Sequence, residues 1–325
     1  MSHPSPEPCR NHSCGLTDVG RRRTENQDQF LVAELRKSMV VRTTSLPIEK
    51  NTTLFGRVRG ELLIVADGMG GQAAGQRASS VALDHLIAQL LNRMHCFFHL
   101  SDGRDDAFVA ALKDLLQQTH ARILAEAATN DAERGMGTTL TMAYIVWPRM
   151  YVVHVGDSRC YLIRKGRCEQ LTTDHTLARK LVDAGGMRPE DEAHSRWTNV
   201  LWNVLGGKGE HELVAEVRRT ELVEGDTVLL CSDGLSRYLS TETLAEVVLE
   251  GGDEIQSICH RLVGLANAAG GEDNITVIVS QPRSRKPYDD ELPSGETCSS
   301  QTESPPADQR STVKEFADED TLPGT

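Results

Sequence analysis

The chain has 325 residues, a formal net charge of -12 at pH 7 and a pI near 5.4. This acidic balance argues against a nucleic-acid-binding protein, whose contact surface is basic, so nucleic acid is not an expected partner. The length suffices for a full hydrophobic core, in one large α/β-type domain or two small ones, and we favour one domain with terminal tails.

Cysteine usage and hydropathy bear on the compartment. The eight cysteines are scattered and form no CxxC pair, which is typical of reduced thiols in a cytosolic protein. No apolar run approaches the roughly 20 residues that a membrane span needs, and residues 1–14 are polar and proline-rich, unlike a signal peptide. The sequence therefore predicts a cytoplasmic protein with no membrane partner.

The first half of the chain alternates between strand-like and helix-like patterns. Residues 30–35 and 61–67 read as strands, and residues 38–60 between them form a loop or a hairpin insertion, because Pro47 and a polar Asn-Thr-Thr run interrupt any period. Apolar residues spaced by three to five positions predict amphipathic helices over 72–94 and 106–128. Strands and a hairpin closed at Lys165-Gly166 follow, a pattern typical of antiparallel sheets covered by helices.

The second half begins with a different kind of segment. Residues 173–207 contain one short helix and then no sustained apolar period, so we interpret them as a mobile flap. Strands over 212–220, 227–233 and 274–279 and helices over 241–249 and 254–268 follow. Residues 281–325 are acidic and rich in proline, serine and threonine, so we expect a disordered tail. With a disordered N-terminus over residues 1–13, the domain spans residues 14–280.

Aspartates at strand ends are the strongest chemical signal. Asp67, Asp157 and Asp233 each follow an apolar run, and Asp273 precedes one. A single Asp-Gly pair is an ordinary turn, but four such acids suggest one shared site. Oxygen ligands without a histidine or cysteine cluster favour Mg²⁺ or Mn²⁺ over zinc. Two such ions can neutralise a phosphate, and an arginine to bind the phosphate is then expected.

A nucleotide-binding interpretation competes for the glycines that follow Asp67. Gly68-Met-Gly-Gly-Gln-Ala73 matches the pattern of a dinucleotide-binding turn after a strand. The Asp67 charge would face the pyrophosphate, and the position some 20 residues later lies inside a predicted helix instead of at a strand end. We therefore disfavour this alternative.

Several short motifs occur in a fixed order along the chain. They are Gly20-x-x-Arg23-x-x-Asn26-Gln27-Asp28, Val65-Ala-Asp67-Gly68-Met69-Gly70-Gly71, Gly137-Thr138-Thr139, Val155-Gly156-Asp157-Ser158-Arg159, Cys231-Ser-Asp233-Gly234 and Asp273-Asn274. Together they resemble the metal-dependent serine/threonine protein phosphatases of type 2C, in their bacterial style, over about residues 14–280. The resemblance implies an α+β fold: a four-layer αββα sandwich with two antiparallel sheets flanked by helices.

The resemblance also implies roles for individual residues. Arg23 matches the arginine that binds phosphate, and Asp28 a catalytic acid beside the metals. The metal ligands would be Asp67, the Gly68 carbonyl, Asp233 and Asp273, with Asp157 for a third, weaker ion. Gln27, Thr138 and Asn274 would support these ligands. The implied reaction is attack of a water or hydroxide bridging two Mn²⁺ or Mg²⁺ ions on the phosphorus of phosphoserine or phosphothreonine.

Three positions depart from the family pattern. Gln27 stands where many relatives have glutamate, Met69 where animal members have a histidine that is a candidate general acid, and Arg237 where many have an aspartate for the third ion. The nearby His154 lies within a strand-like run, and we interpret it as structural. A monomeric phosphatase acting on phosphorylated kinase substrates is the favoured function, and the alternative is a phosphoprotein-binding pseudophosphatase module.

Overall fold

The fold is known from a computed structural model that describes residues 12–92, 105–208 and 212–282. The expected disorder of the N-terminus and of the tail lies outside these residues, apart from a few at their borders, and stays a prediction. Within the described ranges, the strands form two antiparallel sheets, which we call sheet A and sheet B.

Sheet A has five strands in the described residues. In spatial order they are β1 (Ser13–Asp18), β12 (Ile275–Ser280), β11 (Thr227–Cys231), β7 (Arg159–Arg164) and β8 (Arg167–Gln170). The β7–β8 hairpin turns at Lys165 and Gly166, which both have positive φ, of 51° and 76°. Two consecutive positive φ angles are typical of the tight turn that joins twisted antiparallel strands, as the sequence predicted.

Sheet B has seven strands in the described residues. Along its main path they are β10 (Glu216–Glu221), β6 (Arg149–Val155), β5 (Leu140–Val146), β3 (Thr53–Met69), β4 (Gly137–Thr138) and β9 (Leu205–Gly206), and β2 (Asp28–Val40) also pairs with β3. The β2–β3 hairpin is longer than predicted, because both strands continue into residues 38–60. The hairpin alternative for that segment is therefore correct.

Helices pack on the outer face of each sheet. The described residues form the helices α1 (Gln72–Asn92), α2 (Asp105–Thr129), α3 (Leu177–Asp183), α4 (Asp233–Ser236), α5 (Thr241–Gly251) and α6 (Ile255–Ala268), with short 3₁₀ helices at Asp131–Glu133 and Pro189–His194. Of these, α1 and α2 cover sheet B, and α5 and α6 cover sheet A. The sequence predicted the four long helices but not α4. It is too short to show a period, and its first residue is Asp233.

Three apolar layers hold the sandwich together. Along β3, Leu62 and Ile64 pack with α1 and α2, whereas Leu63 and Val65 face the strands of sheet A. A third cluster joins the other face of sheet A to α5 and α6. Because successive strand residues point to opposite faces, a strand buried on both sides reads as a continuous apolar run. The predicted αββα sandwich is confirmed.

Two further observations concern the described residues only. None of their helices has the length and apolar character needed to cross a membrane. Their cysteines, Cys14, Cys160, Cys168, Cys231 and Cys259, are all free thiols.

Candidate metal and phosphate site

Asp28 and Asp67 lie opposite each other on adjacent strands of sheet B. Asp28 begins β2, Asp67 lies two residues before the end of β3, and the antiparallel register pairs them directly. Directly paired residues point to the same face, so two carboxylates lie side by side. The sequence predicted that this strand ends at Asp67, but in the structure it continues through Gly68 to Met69.

Sheet A brings two further acids to the same place. Asp233 follows β11 as the first residue of α4, and Asp273 lies just before β12, the neighbour of β11. Ser232 donates a hydrogen bond to Asp28 Oδ2 at 2.7 Å, and Thr276 donates to the same oxygen at 2.7 Å. These two hydroxyls join the acidic ends of the two sheets, and the sequence analysis missed both.

A cleft of about 320 Å³ opens where these strand ends meet. Its lining includes four carboxylates and two guanidinium groups, those of Asp67, Asp157, Asp233, Asp273, Arg23 and Arg237. The backbone of residues 68–71 also lines it, as do Asn199 and Leu201 of the segment predicted to be a flap. Asp28 is buried beside Asp67 and is not among the lining residues.

Asp28, Asp67 and Asp157 hold their protons more tightly than exposed aspartates do. Burial, opposed by its two hydroxyl donors and reinforced by Asp233 and Asp273, raises the pKa of Asp28 to about 7. Burial and the charge of Asp233 raise the pKa of Asp157 to about 8. The pKa of Asp67 is raised well above its usual value, by burial first and then by Asp28 and Asp233. A group of acids that resists ionisation in this way is typical of a cation site.

Two carboxylate oxygens support the same interpretation. Asp28 Oδ1 and Asp233 Oδ1 are buried, and neither has a hydrogen-bond partner among the described residues. A buried carboxylate oxygen without a donor is costly unless a cation or water lies against it. The candidate metal ligands in the cleft are carboxylate and carbonyl oxygens, the ligand atoms that Mg²⁺ and Mn²⁺ prefer. The residues therefore fit a site for such ions.

The two arginines of the cleft are each paired with an acid. Arg23 donates to Asp273 Oδ2 at 2.9 Å while half of its side chain stays exposed. Arg237 forms an ion pair with Asp233, and its charge also lowers the pKa of Asp157. From the sequence, Arg237 could also pair with Asp157 and occupy the position of the third ion as a built-in cation, but in the structure its partner is Asp233.

Known proteins are similar to this chain in sequence and in fold. A sequence profile of the protein phosphatase 2C family matches residues 50–262. The protein phosphatase PhpP of Streptococcus pneumoniae is 33% identical over 264 residues, which cover 81% of this chain and 94% of PhpP. This chain belongs to the protein phosphatase 2C family. The predicted family is confirmed.

Other members of the family extend the comparison. The serine/threonine protein phosphatase PstP of Mycobacterium tuberculosis is 38% identical over 221 residues, 67% of this chain, and this match spans only 40% of PstP. The crystal structure of PstP superimposes with a TM-score of 0.65 at 32% identity, over 84% of this chain and 98% of that one. The structure of a PstP catalytic domain in complex with two manganese ions superimposes with a TM-score of 0.62 at 32% identity. The match covers 83% of this chain and 96% of that one.

Two of the residues expected to support the metal ligands, Thr138 and Asn274, form hydrogen bonds with backbone groups. The Thr138 hydroxyl donates to the carbonyl of Asp67 at 2.9 Å and not to its carboxylate. Asn274 donates to the carbonyls of Val19 and Glu25, and its Oδ1 accepts from the Gln27 amide, which fixes the loop that carries Arg23. These side chains position the strands and the loop around the acids.

Gly68 allows the end of β3 to approach α1. A Cβ at this position would lie 2.1 Å from the carbonyl oxygen of Gly75, which is too close for any side chain. Met69, where animal members of the phosphatase family carry histidine, lines the cleft but cannot transfer a proton.

His154 lies away from the cleft in a second group of polar side chains. Within the described residues, ligand atoms of His154, His175 and Glu216 lie within 4.8 Å of one another, as metal ligands would. His175 Nδ1 accepts hydrogen bonds from the Gly156 amide and from Asn203 Nδ2, at 3.1 and 2.9 Å. A neutral imidazole that accepts at Nδ1 carries its proton on Nε2, which faces Glu216 at 3.8 Å.

The tautomer of His154 follows from its hydrogen-bond partners in the same way. Its Nε2 faces the carbonyl oxygens of Gly156 and Thr173, at 3.0 and 3.1 Å, so this nitrogen is the donor. Both Nε2 atoms are therefore N–H groups without a lone pair for a metal, and burial lowers the pKa of His154 to about 3. These three side chains, which we call the link, pack together, and each is hydrogen-bonded to neighbouring backbone or side-chain groups, as expected of a structural histidine at position 154.

This link joins the predicted flap to the turn that carries Asp157. The His175 amide donates to the Gly156 carbonyl at 2.7 Å, and the Trp202 amide donates to the His175 carbonyl at 3.1 Å. Leu201, which lines the cleft, pairs with Thr176 in an isolated bridge. The lining contributed by residues 173–207 is thus hydrogen-bonded to the rim of the cleft.

Proposed function

We propose that this chain removes phosphate from phosphoserine and phosphothreonine in proteins, with two Mn²⁺ or Mg²⁺ ions held by Asp67, the Gly68 carbonyl, Asp233 and Asp273. The observation that carries the proposal is the convergence of buried acids from both sheets beside Arg23, with raised pKa values and carboxylate oxygens that have no donor. The two manganese ions of the related PstP structure support this number of ions.

The bound ions would neutralise the charge of the phosphate and lower the pKa of a water, which would supply hydroxide as the nucleophile at neutral pH. Arg23 supplies the planar guanidinium fork that grips two phosphate oxygens. Its present partner, Asp273, is a proposed metal ligand, and a carboxylate that serves a metal offers less negative charge to the guanidinium. We therefore assign phosphate binding to Arg23 and not a purely structural ion pair.

The other residues have positioning roles in this proposal. Asp28 Oδ1 is available to accept a hydrogen bond from a water beside Asp67, while its Oδ2 is held by two hydroxyls. Met69 and the buried His154 cannot protonate the leaving serine or threonine oxygen. The proton must therefore come from water or from another group in the cleft.

A third ion would bind more weakly than the first two. Asp157 is its proposed ligand, and the guanidinium of Arg237 lies close enough to offset part of the rise in the pKa of that acid. A fixed positive charge beside the ligand repels a cation and replaces the aspartate that many relatives have there. Two ions should therefore bind tightly and a third only weakly.

Phosphate release from phosphoserine and phosphothreonine peptides tests the proposal. We expect release with Mn²⁺ present, loss of release on chelation and recovery when Mn²⁺ is restored. A pseudophosphatase would bind the same peptides without releasing phosphate under any of these conditions. Release that persists after chelation would contradict the metal-dependent mechanism.

A further inference from the structure

The β2–β3 hairpin extends beyond sheet B as a two-stranded ribbon, residues 36–59, which we call the arm. β5 pairs with β3 only between Glu61 and Val65, whereas β2 pairs with β3 back to Thr53. At about 3.3 Å per residue, the ribbon reaches up to about 30 Å from Gly60 to its tip near Asn51. The arm lies at the end of β3 opposite to Asp67 and the cleft.

Large apolar side chains are exposed on both faces of the arm. Met39 is 61% exposed, Phe55 55% and Val40 43%. The register pairs Met39 with Leu54 and Ser38 with Phe55. Val40 lies two residues after Ser38 and therefore on the same face as Ser38 and Phe55. Met39 therefore points to one face, and Val40 and Phe55 point to the other. Leu46 at the tip is 62% exposed.

The charge of the arm is opposite to that of the chain. Six of its residues are basic and one, Glu49, is acidic, which gives the arm a formal charge of +5. The whole chain carries -12, so the remainder carries -17. Arg42 and Lys50 flank the apolar tip, and the Arg36 guanidinium lies 5.7 Å from the centre of the Phe55 ring. Basic and apolar groups therefore alternate over the same surface.

We propose that the arm binds the surface of anionic lipid bilayers, with its apolar tip at the boundary between headgroups and acyl chains. A flat protein surface would cover only one face of the ribbon, whereas a lipid interface surrounds a narrow ribbon and covers both. Basic side chains with long aliphatic stems suit this boundary, because the stem stays apolar while the charge meets the headgroups. Duplex DNA would match the charge but would leave the apolar side chains uncovered.

The acidic remainder of the chain does not prevent this binding. Its charge is screened over about 8 Å at physiological ionic strength, and the arm is several times longer than that distance. The expectation of no membrane partner came from the lack of a spanning segment, which a surface-bound ribbon does not need. Binding through the arm is independent of the proposed phosphatase chemistry and would hold the cleft away from the bilayer.

Vesicle sedimentation of the full chain tests the proposal. We expect binding to vesicles that contain phosphatidylglycerol, weak binding to pure phosphatidylcholine, and loss of binding at high salt. The double variants Met39→Ser/Phe55→Ser and Arg42→Glu/Lys50→Glu should each lower the partition coefficient about tenfold or more. The matched controls Leu249→Ser and Arg188→Glu, exposed residues outside the arm, should leave it unchanged.

Insertion of the tip is tested separately with Leu46→Trp. Brominated lipids should quench this tryptophan more than the tryptophan of Leu249→Trp, after subtraction of the native signal. The proposal is overturned if the chain does not bind anionic vesicles, or if the control variants weaken binding as much as the arm variants do. It is also overturned if soluble polyglutamate or duplex DNA binds the arm as tightly as the vesicles do.

Discussion

Two groups of buried side chains in this molecule have the composition of a metal site, and they differ in how their polar atoms are satisfied. The first is the acid group of the cleft, Asp28, Asp67, Asp157, Asp233 and Asp273. Two of its buried oxygens have no donor, and burial and mutual repulsion raise the pKa of several members. The second is the link of His154, His175 and Glu216, whose ring nitrogens all face polar partners.

The difference shows that proximity of ligand atoms is not enough to make a metal site. In the link, each ring nitrogen has a hydrogen-bond or charged partner, and the tautomers leave no lone pair for an ion. In the cleft, the acids repel one another, and a divalent cation would relieve the repulsion. We therefore expect a substitution in the acid group to change metal binding and catalysis, and one in the link to change stability.

The largest expected effect is on turnover in Asp233→Asn. The substitution removes a charge from the proposed metal ligands and should lower kcat by about a thousandfold or more, with the fold retained. The matched change in the link, His175→Asn, keeps an acceptor near the position of Nδ1 and should alter kcat by less than about threefold. Phosphopeptide kinetics with Mn²⁺ measure both, and a fully active Asp233→Asn would refute the assignment.

Arg23→Ala should act mainly on substrate binding. The loss of a charge-assisted, two-pronged contact with phosphate should raise KM for phosphopeptides by about 10- to 100-fold. Arg22→Ala, at an exposed neighbouring position, is the control and should leave KM unchanged. A fall in kcat alone in Arg23→Ala would show that the arginine does not bind the ground-state phosphate.

A substitution in the link should cost stability and not metal binding. His175→Ala leaves the Gly156 amide and Asn203 Nδ2 without their shared acceptor, at a cost of about 2 kcal/mol in the free energy of unfolding. His175→Asn should recover part of this loss. Denaturant unfolding measures both variants, and equal stability of the wild type and His175→Ala would show that the hydrogen bonds contribute nothing.

The acid group should make the metal-free protein less stable as the pH rises above 7. The pKa values of Asp28 and Asp157 are raised to about 7 and about 8, so the folded state keeps protons that the unfolded chain has lost. The buried His154 and His175, whose pKa values are lowered, act in the opposite direction but only below about pH 6.5.

Thermal unfolding of chelated protein between pH 7 and 8.5 measures this slope. We expect the melting temperature to fall by a few degrees over this range, and Asp28→Asn or added Mn²⁺ to reduce the fall. A chelated wild type whose melting temperature rises over the same range would contradict the assignment of buried, protonated acids.

The sequence predicted the layers and most of the acid group because both follow from local patterns. The apolar runs and the aspartates beside them are visible within a few residues of each other. The hydrogen bonds from Ser232 and Thr276 to Asp28 are not visible in the sequence, because they depend on how the two sheets meet.

The pairing of Arg237 with Asp233 and the convergence of the link are also invisible in the sequence. Members of the link lie about 20 to 60 positions apart along the chain, and strand register brings them together. The length of the arm was missed because Pro47 and the polar run after it interrupt the period. That interruption is confined to the tip, and the strands continue on both sides of it.

Calorimetric titration of chelated protein with Mn²⁺ tests the central claim most directly, because it counts ions without relying on turnover. We predict two tightly bound ions in the wild type and in His175→Asn, fewer in Asp233→Asn, and an additional binding event in Arg237→Asp. Loss of an ion in His175→Asn, an unchanged titration in Asp233→Asn, or three ions of similar affinity in the wild type would contradict the account.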